Sequence, residues 1–183
     1  MDKRVVMLAF LQPPDDDPFV NRLTAMASEH PYSHVKLIFN PYDSKALGFS
    51  IQYGEAVSLR VTRLTNPAYT TLSVALPASN HEEVLRFCEK ASNGNIQFDN
   101  LGAYLSYIHP HIPCWNIPSG TVGATFCSKI ICEALQAGGV PEVSQLCPSA
   151  CTPSRLFSAF RNSQSRVVGP MRLPQLLCIH PEL

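Results

Sequence analysis

The stretch from Thr125 to Gly139 constrains the fold more than any other part of the chain. Phe126, Ile130, Ile131, Ala134 and Leu135 share one helical face, Thr125 is suited to cap the N-terminus, and Gly138-Gly139 followed by Pro141 ends the run. A helix with such a face must lie against a core. It also sets Cys127 in the first turn, where backbone N–H groups lack intrahelical acceptors and the helix dipole puts partial positive charge beside the sulfur. A thiolate is favoured there, and an oxyanion formed next to it would find donors. The same position also suits a structural thiol, since free cysteine is among the most buried residue types. The choice depends on what the rest of the chain brings to the sulfur.

Before this helix the sequence reads mainly as strands. Lys3 to Leu11 is a continuous apolar run, as expected for a strand buried on both faces, and it is too short to span a membrane. Asp17-Pro18 opens a short helix expected to reach Glu29. Ser33 to Phe39 and Phe49 to Ala56 then read as an antiparallel hairpin, followed by strand candidates over Ser58–Leu64 and Tyr69–Leu76. Ser79 to Glu82 is a capping-box pattern for a helix ending at Asn93-Gly94, with Val84, Leu85, Phe87 and Cys88 facing inward. Asp99 to Ile108 reads as a further helix, with Leu101, Tyr104, Leu105 and Ile108 inward. Thr152-Pro153 starts another through Leu156, Phe157 and Phe160, and Leu173 to Ile179 reads as a closing strand. Strands followed by helices, with no linker or repeat, predict one α+β domain over residues 1–183 whose antiparallel sheet packs on the Cys127 helix.

Composition narrows the partners. Charged residues are 15% of the 183, below the usual quarter, and Lys plus Arg equals Asp plus Glu at 14 each. No basic tract points to nucleic acid, and no segment reads as a membrane span or a signal peptide. Seven cysteines, an odd number without a secretory signal, predict reduced thiols and a cytoplasmic location.

A cysteine nucleophile needs an imidazole to take its proton and a group to orient that imidazole. His34 is the best placed of six histidines, at the mouth of a strand anchored by Val35, Leu37 and Phe39. Hairpin pairing would set it near Gln52 and Glu55, and strand alternation admits only one of these to its face. Which one depends on a register that spacing alone leaves open.

Taken in order, Ser33-His34-Val35, then Gly54-Glu55-Ala56, then Cys127-Ser128 opening a helix that ends Ala134-Leu135-Gln136-Ala137-Gly138, the chain resembles the circularly permuted papain-like hydrolases related to the NlpC family. The YiiX-like branch is the nearer likeness and the lecithin:retinol acyltransferase group a distant one. Tyr32 to Val35, Phe98-Asp99 and Thr152 to Leu156 fall where similar segments fall in such proteins. The resemblance implies a permuted papain-like fold, Cys127 as nucleophile, His34 as base and Glu55 as third residue. It further implies an acyl-enzyme formed from an amide, peptide or lipid ester, and no cofactor or metal. The oxyanion donors would be the Cys127 N–H and one further group, with Tyr32 the candidate at the substrate. Two departures stand out: Lys36 and Leu37 follow His34-Val35, where a small residue is common, and Gln97 precedes Phe98-Asp99, where an aromatic is common.

Two other readings compete. His109, His111 and Cys114, with Cys147 and Cys151, offer ligands for a zinc-stabilised interaction module, although the spacing is not that of a standard finger. A papain-like scaffold that binds an acyl or peptide ligand without turnover is the other.

Overall fold

The computed structural model describes residues 2–13, 30–64, 68–108, 123–163 and 167–168. The stretches expected to form the 18–29 helix and the 173–179 strand lie outside them. The described residues form an α+β unit built on a six-stranded, wholly antiparallel sheet. Its strands are β1 (Lys3–Leu11), β2 (His34–Phe39), β3 (Leu47–Ser50), β4 (Ser58–Val61), β5 (Tyr69–Pro77) and the two-residue β6 (Val167–Val168), in the order β4-β3-β2-β1-β5-β6. Four helices follow the first five strands: α1 (Ala78–Asn93), α2 (Asn100–Ile108), α3 (Cys127–Ala137) and α4 (Pro153–Arg161).

The continuous apolar run of β1 has its explanation in a position between β2 and β5. Val6, Leu8 and Phe10 join the main core with Val35, Leu37 and Phe39 of β2 and with Ile130, Ile131, Ala134 and Leu135 of α3. Met7 and Ala9 point to the other side, where they meet Ile38, Ala46, Leu64 and Tyr69. With both faces covered, no polar alternation can be kept. Helix α3 lies on β2 and against α1, so its apolar stripe is buried as expected. Gly138 lets the two helices meet: a Cβ there would stand 2.3 Å from Val84 Cγ2 and 2.9 Å from the Asn80 carbonyl. The Asn80 amide donates to Gly138 O at 2.7 Å, and Gly139, at φ +64°, turns the chain out of the helix.

Several local expectations need correction. Helix α1 starts at Ala78 behind Pro77, and no side chain caps it; Ser79 Oγ donates to Asn80 Oδ1 instead. Leu101 and Tyr104 of α2, expected inward, are 51% and 61% exposed, while Gly102 and Ser106 are the buried positions. Thr125 does not cap α3. Phe126 occupies the cap position without a side-chain bond, and Thr125 Oγ1 is buried without a partner. The last strand of the expected hairpin also ends early, at Ser50, not at Ala56. By contrast Thr152 does cap α4, accepting from Arg155 N at 3.2 Å, with Pro153 in the first turn.

Candidate active site

Helix α3 is aimed by backbone pairing. Thr125 N donates to Gln97 O at 3.0 Å, Asp99 N donates to Thr125 O at 2.7 Å, and Phe98 and Thr125 form a parallel bridge. Asp99 also caps α2, its Oδ1 accepting from Gly102 N at 2.8 Å. One short crossing thus fixes the starts of two helices, and the second begins at Cys127.

The sulfur of Cys127 meets the sheet at Val35. The register pairs Leu37 with Phe49 across β2 and β3, but β3 stops at Ser50, so the ladder does not reach the β2 start. The Val35 N–H donates to Cys127 Sγ, joined by the N–H groups of Ser128 and of Cys127 itself. These donors favour the thiolate, as the helix start predicts. Burial opposes them and wins: Cys127 is 7% exposed, and the net effect pushes its thiol up, so that it is protonated at neutral pH. Ser128 Oγ also lies near the sulfur, but its single proton is held by Cys151 O at 2.5 Å.

His34 is the chain neighbour of the amide that meets the sulfur, and it pairs with Leu11 across β1. Alternation puts its side chain on the face of Lys36 and Ile38. The ring keeps a little surface, yet its Nε2 is buried without a hydrogen-bond partner. Burial, with a smaller contribution from the Lys36 charge, brings its pKa down to about 3. The imidazole is therefore neutral at neutral pH.

Glu55 does not orient that ring. It sits in the exposed turn after β3, its N–H donates to Gln52 O at 3.0 Å, and its carboxylate pairs with Arg60 at 3.5 Å. The early end of β3 is the physical reason: without ladder bonds beyond Ser50, the turn residues are not pressed onto the His34 face. Tyr32 is likewise a core side chain, its ring 5.4 Å from Phe10 and 4.8 Å from Phe157.

Two residues that the sequence left without a role stand near the site. Lys36 shares the His34 face and sets its Nζ 5.6 Å from the centre of the Tyr69 ring. Tyr69 pairs with Leu11, so His34, Leu11 and Tyr69 form one row across three strands. Burial raises the Tyr69 phenol, and the Cys127 sulfur raises it further. Alternation from His34 was the signal available for Lys36; nothing local marked Tyr69.

Among the described residues no group of three or more His, Cys, Asp or Glu side chains could hold a metal. His109, His111 and Cys114 of the zinc reading lie outside those residues. Cys147 is disulfide-bonded, and Cys151 is buried in hydrogen-bonding contact with Cys132, so neither offers an open thiolate. The disulfide corrects the expectation of reduced thiols throughout: an odd count leaves at least one cysteine unpaired but does not forbid a bridge. Cys88, Cys127, Cys132 and Cys151 are free. No helix among the described residues is long and apolar enough to cross a membrane. The open groove of about 560 Å³ lined by Arg4, Asn40, Tyr42 and Asp43 lies at the other end of β2 from His34. Comparison with family models, curated proteins and solved structures gave no match.

Proposed function

We propose that the chain is a cysteine-dependent acyl hydrolase or acyltransferase of permuted papain-like fold, with Cys127 as nucleophile and His34 as base. The observation that supports it most is the convergence of the Val35, Cys127 and Ser128 N–H groups on one sulfur at the first residue of a helix, with His34, whose imidazole is neutral, next to Val35 in the chain. The neutral imidazole can accept a proton, and a pKa of about 3 makes it a weaker base than an exposed histidine. Here it takes the Sγ proton as the sulfur attacks the carbonyl of an amide, peptide or lipid ester. The same N–H groups that surround the sulfur are available to the oxyanion that forms beside it. The imidazolium then returns its proton to the leaving group, and a thioester remains. Water or a second acceptor, deprotonated by His34, attacks the thioester and restores the thiol.

The resting charges distinguish this from a preformed ion pair. Burial raises the thiol and lowers the imidazole, so proton transfer accompanies attack instead of preceding it. The same observation favours the second reading, a scaffold that binds an acyl or peptide ligand without turnover.

A panel of acyl esters and peptides, assayed with wild type, Cys127→Ala and His34→Ala, separates the two. Turnover by wild type that is lost in both folded variants supports the enzyme. Ligand binding without turnover supports the scaffold, and full activity in either variant refutes the assignment.

A further inference from the structure

Two residues before Cys127 stands a hydroxyl that the fold buries and leaves unpaired. Thr125 is 3% exposed, and its Oγ1 has no hydrogen-bond partner among the described residues. Its backbone is fully engaged: the N–H donates to Gln97 O at 3.0 Å, and the carbonyl accepts from Asp99 N at 2.7 Å. Those bonds do not explain the side chain, because valine would make them equally well and would bury no polar atom. An unpaired hydroxyl in the interior is costly, so its place calls for a partner that arrives later.

The backbone turns this hydroxyl to the side of the nucleophile. Phe126, between the two residues, is extended, with φ −133° and ψ 166°, and residues flanking an extended one project the same way. Thr125 and Cys127 therefore share a side, with Cα atoms about 6.5 Å apart at the usual rise of extended chain. A substrate oxygen seated between them can accept from Oγ1 while its carbon faces Sγ. Tyr32, expected as the further donor at the substrate, is packed in the core against Phe10 and Phe157 and leaves that place open.

We propose that the Thr125 hydroxyl donates a hydrogen bond to an oxygen of the acyl group that Cys127 attacks, adding a side-chain donor to the backbone N–H groups around the sulfur. The inference rests on the reading of Cys127 as nucleophile. A β-branched side chain on a backbone pinned at both groups has few rotamers to choose from, so the donor is in position before the substrate arrives.

The test follows acetylation of Cys127 by para-nitrophenyl acetate in wild type, Thr125→Val and Thr125→Ser, with Cys127→Ala as background. Sγ attacks the ester carbonyl, a carbon–sulfur bond forms as the bond to the phenol oxygen breaks, and the thiol proton leaves with the phenol. Release of the phenol gives the rate, the mass of the Cys127 peptide gives the site, and urea midpoints give stability. Valine keeps the shape and removes the hydroxyl, so its acetylation rate should fall at least about tenfold, while serine should stay within about threefold of wild type. The valine midpoint should hold or rise, since the variant no longer buries an unpaired hydroxyl. A lower midpoint in folded Thr125→Val shows that the hydroxyl already has a partner inside the protein and overturns the proposal. Acetylation of that variant at the wild-type rate also overturns it and leaves the nucleophile standing. Should valine not fold, Thr125→Ala is read against the same tenfold loss. If wild type gains no acetyl group at Cys127, the nucleophile reading falls and the Thr125 role with it.

Discussion

Removal of the His34 imidazole should alter how the protein responds to acid, by an amount that follows from its burial. Its pKa in the folded state is brought down to about 3 from 6.5, chiefly because a charged ring would lose its hydration where it sits. The folded value lies below the unfolded one, so stability is intact above pH 6.5 and is lost as the pH falls from there toward 3. Linkage gives a loss of about 3 kcal/mol from this one group by pH 4, with no further loss below the folded value. The assay is urea unfolding of wild type and His34→Met at pH 7 and pH 4. Carboxylates and the other buried histidine, His81, protonate in both proteins and cancel in the difference. Wild type should lose about 3 kcal/mol more than the variant across that interval. Equal losses would show that His34 is solvated, and an NMR titration of its ring near pH 6.5 would say the same. Either result removes the physical basis for reading His34 as a neutral base.

The charge state of the thiol makes a second prediction: alkylation of Cys127 should climb steadily from pH 5 to 9, and a plateau between pH 5 and 7 would instead indicate a resident thiolate–imidazolium pair. Glu55→Gln should change turnover by less than about threefold and stability by under about 1 kcal/mol, because an exposed pair with Arg60 is all it removes; a hundredfold loss of kcat would restore Glu55 as the orienting residue. Gly138→Ala should destabilise the fold by about 1–3 kcal/mol, read as a lower urea midpoint, because the new methyl meets Val84 and the Asn80 carbonyl; an unshifted midpoint would mean that α1 and α3 separate at little cost.

Elements that rest on long apolar patterns were legible in the sequence, and those that rest on pairing partners were not. The stripe of α3, the uninterrupted run of β1 and the Thr152-Pro153 start of α4 carry their own signals. Thr125 looked like a cap because threonine can cap, but the strand-like bonds to Gln97 and Asp99 had already claimed its backbone. Leu101 and Tyr104 looked inward by helical spacing, yet Asp99 holds the helix start so that the face of Gly102 and Ser106 is the one covered. At the site, Cys127 and His34 were visible as a helix start and a strand start. What could not be seen was the third partner. The side of His34 that Glu55 was to serve depends on where β3 lets go of β2, and no residue between Ser50 and Glu55 announces that point. Lys36 and Tyr69 were missed for a related reason, since they meet across β1, a strand that neither belongs to.

That central placement of β1 has a consequence for how the chain comes together. Strand β1 is synthesised before both of its sheet neighbours and lies mid-sheet, with Leu11 paired to Tyr69 and Lys3 to Pro77. Early in translation β1 and β2 can form a hairpin, but one edge of β1 stays open until β5 has left the ribosome, and α3 later still. Contacts so distant in sequence slow folding, and an apolar strand edge open in the meantime invites pairing with other chains. The order of synthesis therefore leaves this apolar strand exposed until late, and the Val35 backbone cannot meet the Cys127 sulfur until α3 has followed.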